Sequence, residues 1–237
     1  MKIRMGTEED IDAIVENAAY ACGMSSDTLD SIREIMKQTD EFLEYYIADV
    51  DGEVAAQVRL IPFEQNIRGT TKRMGGVSMV ASEPRHRRQG YVRQLMLKIT
   101  EDLREENYAV ITLYPFKDSF YGALGYVKMP PLFWMEINPR QLENWNLPDG
   151  YNVKRMQVED GLDEWREIHD AVVPKIHGGV RRSDQRWEET KLRTKHDLAI
   201  AYGPDGSPEG YMAYRNKGYG RFGDSDKVGT MSIREII

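Results

Sequence analysis

The spacing of apolar residues in the first part of the chain predicts helices and strands in turn. Lys2–Met5 is typical of a short strand, and Thr7 is the expected N-cap of a helix that buries Ile11, Ile14, Val15 and Ala18. The same reasoning predicts a helix at 27–37 and strands at 42–50, 54–62 and 75–81. Asp51-Gly52 lies between the strands at 42–50 and 54–62 and predicts a hairpin.

The stretch from Gly75 to Tyr126 carries the strongest pattern. A strand ending near Ala81 is followed by a basic loop containing Gly90 and then by an amphipathic helix. The apolar face of this helix comprises Val92, Leu95, Met96, Ile99 and Leu103. Beyond it we expect a strand at 110–113, a short helix at 117–124 that Gly125 closes, and extended chain at 126–128.

The second part of the chain repeats the opening pattern weakly. We place a domain boundary near Gly150, which predicts domains at 1–150 and 151–237. Asn152–Met156 resembles the first strand, and a helix carrying Leu162, Trp165 and Ile168 follows. Strands are expected at 198–201 and 210–214 around a turn at 203–206, with a central strand at 230–236. Because no second glycine loop follows, we expect the second copy to be truncated.

Composition limits the class of protein. The 237 residues are 41% hydrophobic and 30% charged, which suits a globular protein with a real core. No stretch approaches the roughly 18 apolar residues of a membrane span, and no signal-peptide pattern is present, so we expect a cytoplasmic protein without a membrane partner. The single Cys22 excludes an internal disulfide, and the net charge of −7 argues against nonspecific nucleic-acid binding.

The loop from Glu83 to Val92 is a candidate anion site. The first N–H groups of a helix lack intrahelical partners and carry the positive end of the helix dipole, so they suit a phosphate. Gly90 would let the backbone approach such a ligand, and four arginines lie between Arg85 and Arg93. The alternative is a solvated basic turn in which Arg93 pairs with the acidic helix face. The loop matches neither a Walker loop nor a Rossmann fingerprint.

Two motifs support a family resemblance. Arg87-x-x-Gly90 after a strand resembles the Arg/Gln-x-x-Gly-x-Gly/Ala signature of GNAT-type N-acetyltransferases, although Val92 departs from the small residue usual at its last position. The segment from Phe120 through Tyr121 to Tyr126 resembles the family's Phe-Tyr-x-x-x-Gly-Phe motif. Pro84-x-His86-Arg87-Arg88-x-Gly90 and the weak repeat are most similar to the Eis-like acetyltransferases, which carry tandem GNAT folds and a C-terminal sterol-carrier-like domain.

The resemblance implies an α/β fold with a mixed sheet, the GNAT fold, followed by a partial second GNAT-like half. It implies acetyl-CoA as co-substrate without a metal, an amine acceptor as partner, and is compatible with a homo-oligomer. The predicted cofactor-binding residues are Met79, Val80, Ser82, Arg85, Arg87, Arg88, Gln89, Gly90, Tyr91 and Val92. Met79 and Val80 would offer backbone groups to the pantetheine arm, as strands of family members do.

Acetyl transfer from a thioester to an amine requires a free amine, stabilisation of an oxyanion and a proton for the departing thiolate. Tyr121 is the predicted donor of that proton, since a phenol of pKa about 10 suits a thiolate of pKa about 8.5. The alternative is that Tyr121 only packs its ring. In the Eis-like family the terminal carboxylate is the expected base, and this sequence does not contain that segment.

Other reactive side chains are weaker candidates. Cys22 has no histidine nearby in sequence and is expected to be an inert thiol rather than an acyl carrier. The four histidines lack metal-ligand spacing, so we expect no zinc site. Two larger sets each have two interpretations. The aromatic residues could line an acceptor pocket or belong to the core, namely Tyr45, Tyr46, Phe133 and Trp134. The acidic residues could attract a cationic acceptor or form an ordinary charged surface, namely Glu41, Glu44 and Asp49.

Three functions follow for testing. The first is an N-acetyltransferase that moves the acetyl group directly, in a ternary complex, to a primary amine of a small cationic or lysine-type acceptor. The second is a non-catalytic module that binds acyl-CoA or a protein through the same scaffold. The third, nucleic-acid contact through Arg85–Arg93, is disfavoured because the patch is short and the protein is acidic.

Overall fold

A computed structural model describes residues 1–129, 137–142, 145–216 and 231–237. Two compact units divide the chain, Met1–Met129 and Pro130–Ile237. The predicted boundary near Gly150 stays a prediction. The expected residues Phe133, Trp134 and Thr230 lie outside the described ranges.

The first unit is built on a mixed sheet. Its strands are β1 (Lys2–Met5), β2 (Tyr45–Val50), β3 (Glu53–Ile67), β4 (Thr70–Ser82) and β5 (Val110–Leu113). They lie in the order β1-β2-β3-β4-β5. The pairs from β1 to β4 are antiparallel, and β5 joins β4 in parallel. A parallel pair requires a crossover connection, which here is a helix.

Helices cover both faces of this sheet. They are α1 (Ile11–Cys22), α2 (Leu29–Gln38), α3 (Tyr91–Glu105) and the short α4 (Asp118–Gly122). Helix α3 buries Leu95, Met96, Ile99 and Leu103 against one face, as its apolar spacing predicts. Each fully buried side chain of this size contributes about 1.5–3 kcal/mol. Helices α1 and α2 close the other face with Ile14, Val15 and Met36, among others.

Two glycines in β4 allow α3 and β3 to pack closely. A Cβ on Gly75 would lie 2.6 Å from Cδ1 of Leu103, and one on Gly76 would lie 2.8 Å from Cε2 of Phe63. Carbon atoms prefer separations of about 3.5–4.0 Å. The Gly-Gly pair is therefore explained by packing in the core beneath the candidate site.

Two tight turns set the strand register. Asp51 (φ 53°) and Gly52 (φ 88°) join β2 to β3, which confirms the predicted hairpin. Arg68 (φ 51°) and Gly69 (φ 82°) join β3 to β4 in the same way. Positive φ at both central residues is typical of a turn that matches the twist of the strands. The second hairpin was not predicted, and it makes β3 and β4 longer than expected.

The second unit reproduces the order of the first four strands. Its elements are β6 (Asn152–Met156), α5 (Val158–Val172), β7 (Val180–Arg181), α6 (Asp184–Arg193), β8 (Asp197–Tyr202), β9 (Pro208–Asn216) and β10 (Met231–Ile236). The antiparallel sheet has the order β10-β9-β8-β6, so β6, β8, β9 and β10 correspond to β1 through β4. Two helices separate the first and second strands in both units.

The core of the second unit surrounds a stacked arginine. The guanidinium carbon of Arg182 lies 4.7 Å from the ring centroid of Trp187 and 5.3 Å from that of Trp165. Nη2 of Arg182 bonds Oε2 of Glu235 at 2.5 Å, and the Tyr211 hydroxyl donates to Oε1 of the same carboxylate at 2.6 Å. These contacts tie α5 and α6 to β9 and β10.

Several predicted boundaries were wrong. The strand expected at 42–50 begins at Tyr45, because residues Glu41–Glu44 form a 3-10 turn. The helix expected at 117–124 ends at Gly122. For residues 126–128 the prediction was extended chain, and they lie outside the helices and strands of the described ranges. The predicted helix at 27–37 begins at Leu29, after a 3-10 turn at Ser26–Thr28. The remaining 3-10 turns are Glu8–Asp10, Pro84–His86, Pro139–Leu142 and Val173–Lys175.

Candidate functional site

The loop between β4 and α3 presents backbone amides at an open helix end. Its last residue, Gly90, is the N-cap and has φ 80° and ψ 8°, with no side chain capping the helix. The first helical bond runs from the Gln94 N–H to the Gly90 carbonyl at 3.1 Å. The N–H groups of Tyr91, Val92 and Arg93 therefore precede the first intrahelical donor, in the position that suits an anion.

Gly90 faces open space. A Cβ built on it would have no atom within 4 Å. Arg88, two residues earlier, also has a left-handed backbone with φ 62°. A non-glycine residue in this region is uncommon, and Gly90 adopts it without the steric penalty of a Cβ. The backbone at Gly90 is therefore open to solvent on this side, with no side chain of its own and no neighbouring atom to cover it.

The four arginines of the loop differ in their contacts. Arg85 is engaged: its Nε lies 3.0 Å from Oε1 of Glu83, and its Nη2 lies 3.2 Å from Oε2 of Glu53. The Arg87 guanidinium carbon lies 5.1 Å from the ring centroid of Tyr20. Arg88 and Arg93 make no ion pair within the described ranges. The pairing of Arg93 with the acidic face of α3, which belongs to the alternative of a solvated basic turn, is thus not seen there.

Two further loop residues contact each other. The Tyr91 hydroxyl donates to Oε1 of Gln89 at 2.7 Å, on the surface. The loop begins with a 3-10 turn at Pro84–His86, where Oε2 of Glu83 accepts from the Arg85 N–H at 2.6 Å. The same carboxylate that fixes this turn therefore also holds the Arg85 side chain, and a phosphate would compete with it for Arg85.

Strand β4 carries a bulge at the predicted pantetheine-binding positions. Gln57 of β3 lies opposite Ala81, and Arg59 lies opposite Ser78. Two residues of β4, Met79 and Val80, therefore lie opposite the single β3 residue between Gln57 and Arg59. Met79 has φ 46°, a left-handed backbone that L residues rarely adopt. Such bulges redirect the backbone and recur next to functional sites.

Strands β4 and β5 pair over only part of their length. Pairing runs from Met74 with Val110 to Val77 with Leu113. β4 then continues to Ser82, while β5 has ended. The edge of β4 from Ser78 to Ser82 is therefore left without a neighbouring strand on the β5 side in the part of the chain that the structure describes. An extended ligand bearing amides can pair with such an edge.

Tyr121 lies in an aromatic cluster that follows β5. Its side chain is 3% exposed, and its ring centroid lies 5.3 Å from that of Phe116 and 5.1 Å from that of Phe120. Its hydroxyl makes no hydrogen bond within the described ranges. The hydroxyl oxygen is not completely buried, because it is absent from the set of fully buried polar atoms that lack a partner. Burial raises the pKa of the Tyr121 phenol above its ordinary value of 10.0. The phenol is therefore protonated at neutral pH.

The turn after α4 fixes this cluster. The Tyr126 N–H donates to the Tyr121 carbonyl at 3.1 Å and the Gly125 N–H to the Gly122 carbonyl at 3.1 Å, with Gly125 at φ 89°. This is the Schellman arrangement, which confirms Gly125 as the predicted end of the helical turn. Burial raises the pKa of Tyr126 to about 12. Its buried hydroxyl lies near Thr100, and no hydrogen-bond partner for it is found in the described part of the chain.

The residues considered for an acceptor pocket have structural contacts. Tyr45 is 2% exposed in the core, and the Tyr46 hydroxyl donates to Oδ2 of Asp102 at 3.1 Å. Nη1 of Arg59 lies 2.6 Å from Oε1 of Glu41, and its Nη2 lies 2.7 Å from Oε2 of Glu44. Asp49 pairs with Nε of Arg4 at 2.7 Å. The three carboxylates thus already face arginines.

Cys22 and the histidines form no reactive group in the described ranges. Cys22 is an exposed free thiol at the end of α1. His169 is buried against Trp187, with Nδ1 3.1 Å from Oδ1 of Asp170, and burial lowers its pKa. No group of three or more His, Cys, Asp or Glu side chains there is arranged to hold a metal ion. None of the helices described has the length and apolar character needed to span a bilayer.

Three residues near the site make contacts that the sequence did not predict. Tyr20 of α1 lies beside Arg87, and Phe116 and Phe120 pack on Tyr121. Phe120 belongs to the recognised motif, but its role as a neighbour of Tyr121 was not predicted. For Tyr20 and Phe116 no signal in a single sequence indicates the contact, since it depends on how distant segments fold together.

Comparison with known proteins assigns the family. The model of the acetyltransferase (GNAT) domain matches residues 2–129, more than half of the chain. N-acetyltransferase Eis of Mycobacterium tuberculosis (strain CDC 1551 / Oshkosh) is 25% identical over 152 residues, which cover 59% of this chain and 37% of that protein. The same figures hold for N-acetyltransferase Eis of Mycobacterium bovis (strain ATCC BAA-935 / AF2122/97). The chain therefore spans little more than a third of the length of these curated relatives.

Solved structures share the fold. A GCN5-related N-acetyltransferase from Anabaena variabilis ATCC 29413 has a TM-score of 0.78 at 16% identity, covering 100% of this chain and 58% of that one. Eis1 from Mycobacterium abscessus has a TM-score of 0.72 at 17% identity, with the same coverage of 100% and 58%. Both likenesses extend over the second unit as well as the first. These likenesses show the fold, and the domain match over more than half of the chain shows that it belongs to the GNAT acetyltransferase family.

Proposed function

We propose that the chain is an acetyl-CoA-dependent N-acetyltransferase that moves the acetyl group directly to a primary amine in a ternary complex. The observation that carries the proposal is the parting of β4 from β5 after Val77, followed by a loop that opens at Gly90 onto the free amides of α3. One end of this arrangement suits an extended chain of amides and the other suits phosphates.

The described residues fit acetyl-CoA, which would supply an activated acetyl thioester. The amides of Tyr91 and Val92, with the Arg88 side chain, would hold the diphosphate at the start of α3. The edge of β4 between Ser78 and Ser82 would pair with the amides of the pantetheine arm. The left-handed backbone at Met79 turns the peptide groups of the bulge, and one of their N–H groups is our candidate for polarising the thioester carbonyl.

Tyr121 is the proposed proton donor. In the reaction the amine nitrogen forms a bond to the carbonyl carbon, the carbon–sulfur bond breaks, and the Tyr121 hydroxyl proton passes to the departing sulfur. The proton that the amine nitrogen loses returns through solvent to the Tyr121 phenolate, which leaves a neutral amide, a free thiol and the starting phenol. A raised phenol pKa keeps this proton in place before transfer. The same apolar surroundings raise the pKa of a thiol leaving into them, because burial disfavours every anion. The pKa values of the Tyr121 phenol and of the leaving thiol are therefore both raised in this site.

Direct transfer agrees with the position of Cys22. A covalent route needs a nucleophile beside a base. Cys22, the sole cysteine, is exposed at the end of α1 and contacts no basic side chain in the described ranges. A cationic acceptor, either a small polyamine-like molecule or a lysine-type amine, is favoured by the net charge of −7.

Calorimetry and a thiol-release assay test the proposal together. Titration with acetyl-CoA is expected to show saturable one-to-one binding, and its absence in a folded sample would refute cofactor binding. Incubation with acetyl-CoA and a panel of polyamines, aminoglycosides and peptide amines is expected to release free thiol faster than the blank without acceptor. Binding without release for every amine would instead support the non-catalytic acyl-CoA-binding module.

A further inference from the structure

Arg87 differs from the other arginines of the candidate anion loop, Glu83 to Val92, because an aromatic ring from a distant helix lies beside its guanidinium group. Its guanidinium carbon lies 5.1 Å from the ring centroid of Tyr20, in the last turn of α1. Tyr20 is 64% exposed, so its ring is not required in the core. Neighbouring positions of α1, namely Ile14, Val15 and Ala18, supply the buried face of that helix.

The contact with Tyr20 does not use the hydrogen-bond donors of Arg87. A guanidinium within about 6 Å of a ring centroid is attracted to the ring through its charge, so its five N–H groups stay available to other acceptors. Arg87 makes no ion pair or side-chain hydrogen bond within the described ranges. Arg85 is the contrasting case, since Glu83 and Glu53 occupy its Nε and Nη2. Arg87 thus combines a ring contact with unused N–H donors, three residues before Gly90 and four before the first open amide, that of Tyr91.

We propose that Tyr20 is a positioning residue of the cofactor site, which holds Arg87 so that its N–H edge addresses the diphosphate of acetyl-CoA. This inference rests on the proposed function. Arginine side chains lose considerable rotamer freedom when they are fixed on a ligand. A ring that restricts Arg87 before the ligand arrives reduces that loss on binding, which is preorganisation. The site therefore includes α1, outside the two motifs of the family.

A double-mutant cycle on acetyl-CoA binding tests the pairing. Tyr20→Ala is expected to weaken binding about two- to fivefold, the size of an exposed cation–π contact. Tyr20→Phe retains the ring face and is expected to bind within about twofold of the parent. In an Arg87→Ala background, Tyr20→Ala is expected to have no further effect. An equal loss in both backgrounds, or an equal loss with Phe and Ala, would overturn the inference.

Two controls separate this result from other causes. Arg88→Ala serves as the matched background, because Arg88 has no ring contact, and Tyr20→Ala is expected to keep its full effect there. The thermal midpoint without ligand is expected to be unchanged in Tyr20→Ala, since the side chain is exposed. A lowered midpoint that accounts for the lost affinity would assign Tyr20 a merely structural role.

The ligand group is tested with 3′-dephospho-CoA. If Arg87 addresses the diphosphate, the Tyr20→Ala effect is expected to persist with this analogue, and its disappearance would contradict the assignment. Failure of the parent chain to bind acetyl-CoA would refute the proposed function itself. Normal binding by the parent, with no coupling between Tyr20 and Arg87, would refute only the present inference.

Discussion

Gly69 and Gly90 have nearly the same left-handed backbone, with φ 82° and 80°, and neither would bring a Cβ within 4 Å of another atom. They differ in surroundings: Gly69 closes the β3–β4 hairpin, whereas Gly90 begins α3. An alanine substitution at either glycine causes the same backbone strain, but only the substitution at Gly90 places a side chain at the candidate ligand site. Comparing the two therefore separates the effect of strain from that of ligand contact.

Gly90→Ala is expected to weaken acetyl-CoA binding at least tenfold, because the new Cβ occupies the side from which a phosphate would approach. Gly69→Ala is the matched control and is expected to leave binding unchanged. Both variants are expected to lose a similar free energy of unfolding, about 1–2 kcal/mol, from the cost of a left-handed alanine. Calorimetry and chemical unfolding measure the two quantities. Equal affinity for the two variants would contradict an anion site at α3.

Tyr121→Phe is expected to lower kcat by about 100-fold or more while leaving the affinity for acetyl-CoA within twofold, since it removes only the proton donor. Tyr126→Phe is the control. The Tyr126 ring centroid lies 5.9 Å from that of Tyr121, but its buried hydroxyl has no hydrogen-bond partner among the described residues. Removing an unpaired buried hydroxyl is expected to be neutral or stabilising. Steady-state kinetics that show equal losses for both variants would remove the assigned role.

The pH dependence of turnover also tests the role of Tyr121 as a proton donor. A phenol whose pKa is raised above 10.0 by burial stays protonated throughout the physiological range. The activity of the parent is therefore expected to show no alkaline decline from this group below about pH 10. A pH–rate profile of kcat that falls with an apparent pKa near 8 and flattens in Tyr121→Phe would contradict a raised phenol pKa.

Arg59→Met is expected to destabilise the first unit by about 3–5 kcal/mol, because it leaves the buried carboxylates of Glu41 and Glu44 without their arginine. Adding Glu41→Gln and Glu44→Gln to this variant is expected to restore part of the loss. Arg73→Met is the control, since its pair with Glu106 is about half exposed, and it is expected to cost about 1 kcal/mol. Chemical unfolding measures all three, and a cost for Arg59→Met no larger than the control would be inconsistent with a buried pair.

The second unit is expected to lose stability in mild acid through His169. Burial lowers the pKa of His169 from 6.5, so the unfolded chain binds a proton at a pH where the folded unit does not. The free energy of unfolding should therefore fall as pH drops below about 6.5 and level off below the folded pKa. His169→Asn is expected to reduce the dependence of the unfolding free energy on pH. Part of the dependence is expected to remain in this variant, because burial also lowers the pKa of His196. An unchanged slope in the variant would exclude His169 as a source.

Elements that depend on local pattern were predicted well. The bounds of β1 and β5 agree with the sequence prediction, and the buried face of α3 includes Leu95, Met96, Ile99 and Leu103 as expected. These features follow from the periods of strands and helices, which a sequence displays directly. The position of the candidate anion loop was predicted for the same reason, since Gly90 lies between a strand and an amphipathic helix.

Features that depend on tertiary pairing were not predicted. Nothing in a methionine indicates a left-handed backbone, so the bulge at Met79 is visible only from the register of β4 against β3. The end of β5 pairing at Leu113 and the stacking of Tyr20 on Arg87 likewise depend on segments far apart in the chain. Glu41 and Glu44 were considered as a cation-attracting surface, and only the fold shows that they face Arg59.

The unpaired edge of β4 has a consequence for handling the protein. A row of N–H and C=O groups without a neighbouring strand is a template for adventitious self-association, which natural proteins normally suppress by covering or charging such edges. In this fold the co-substrate itself would cover the row. We therefore expect the ligand-free chain to aggregate on concentration, and coenzyme A added during purification to keep it in solution.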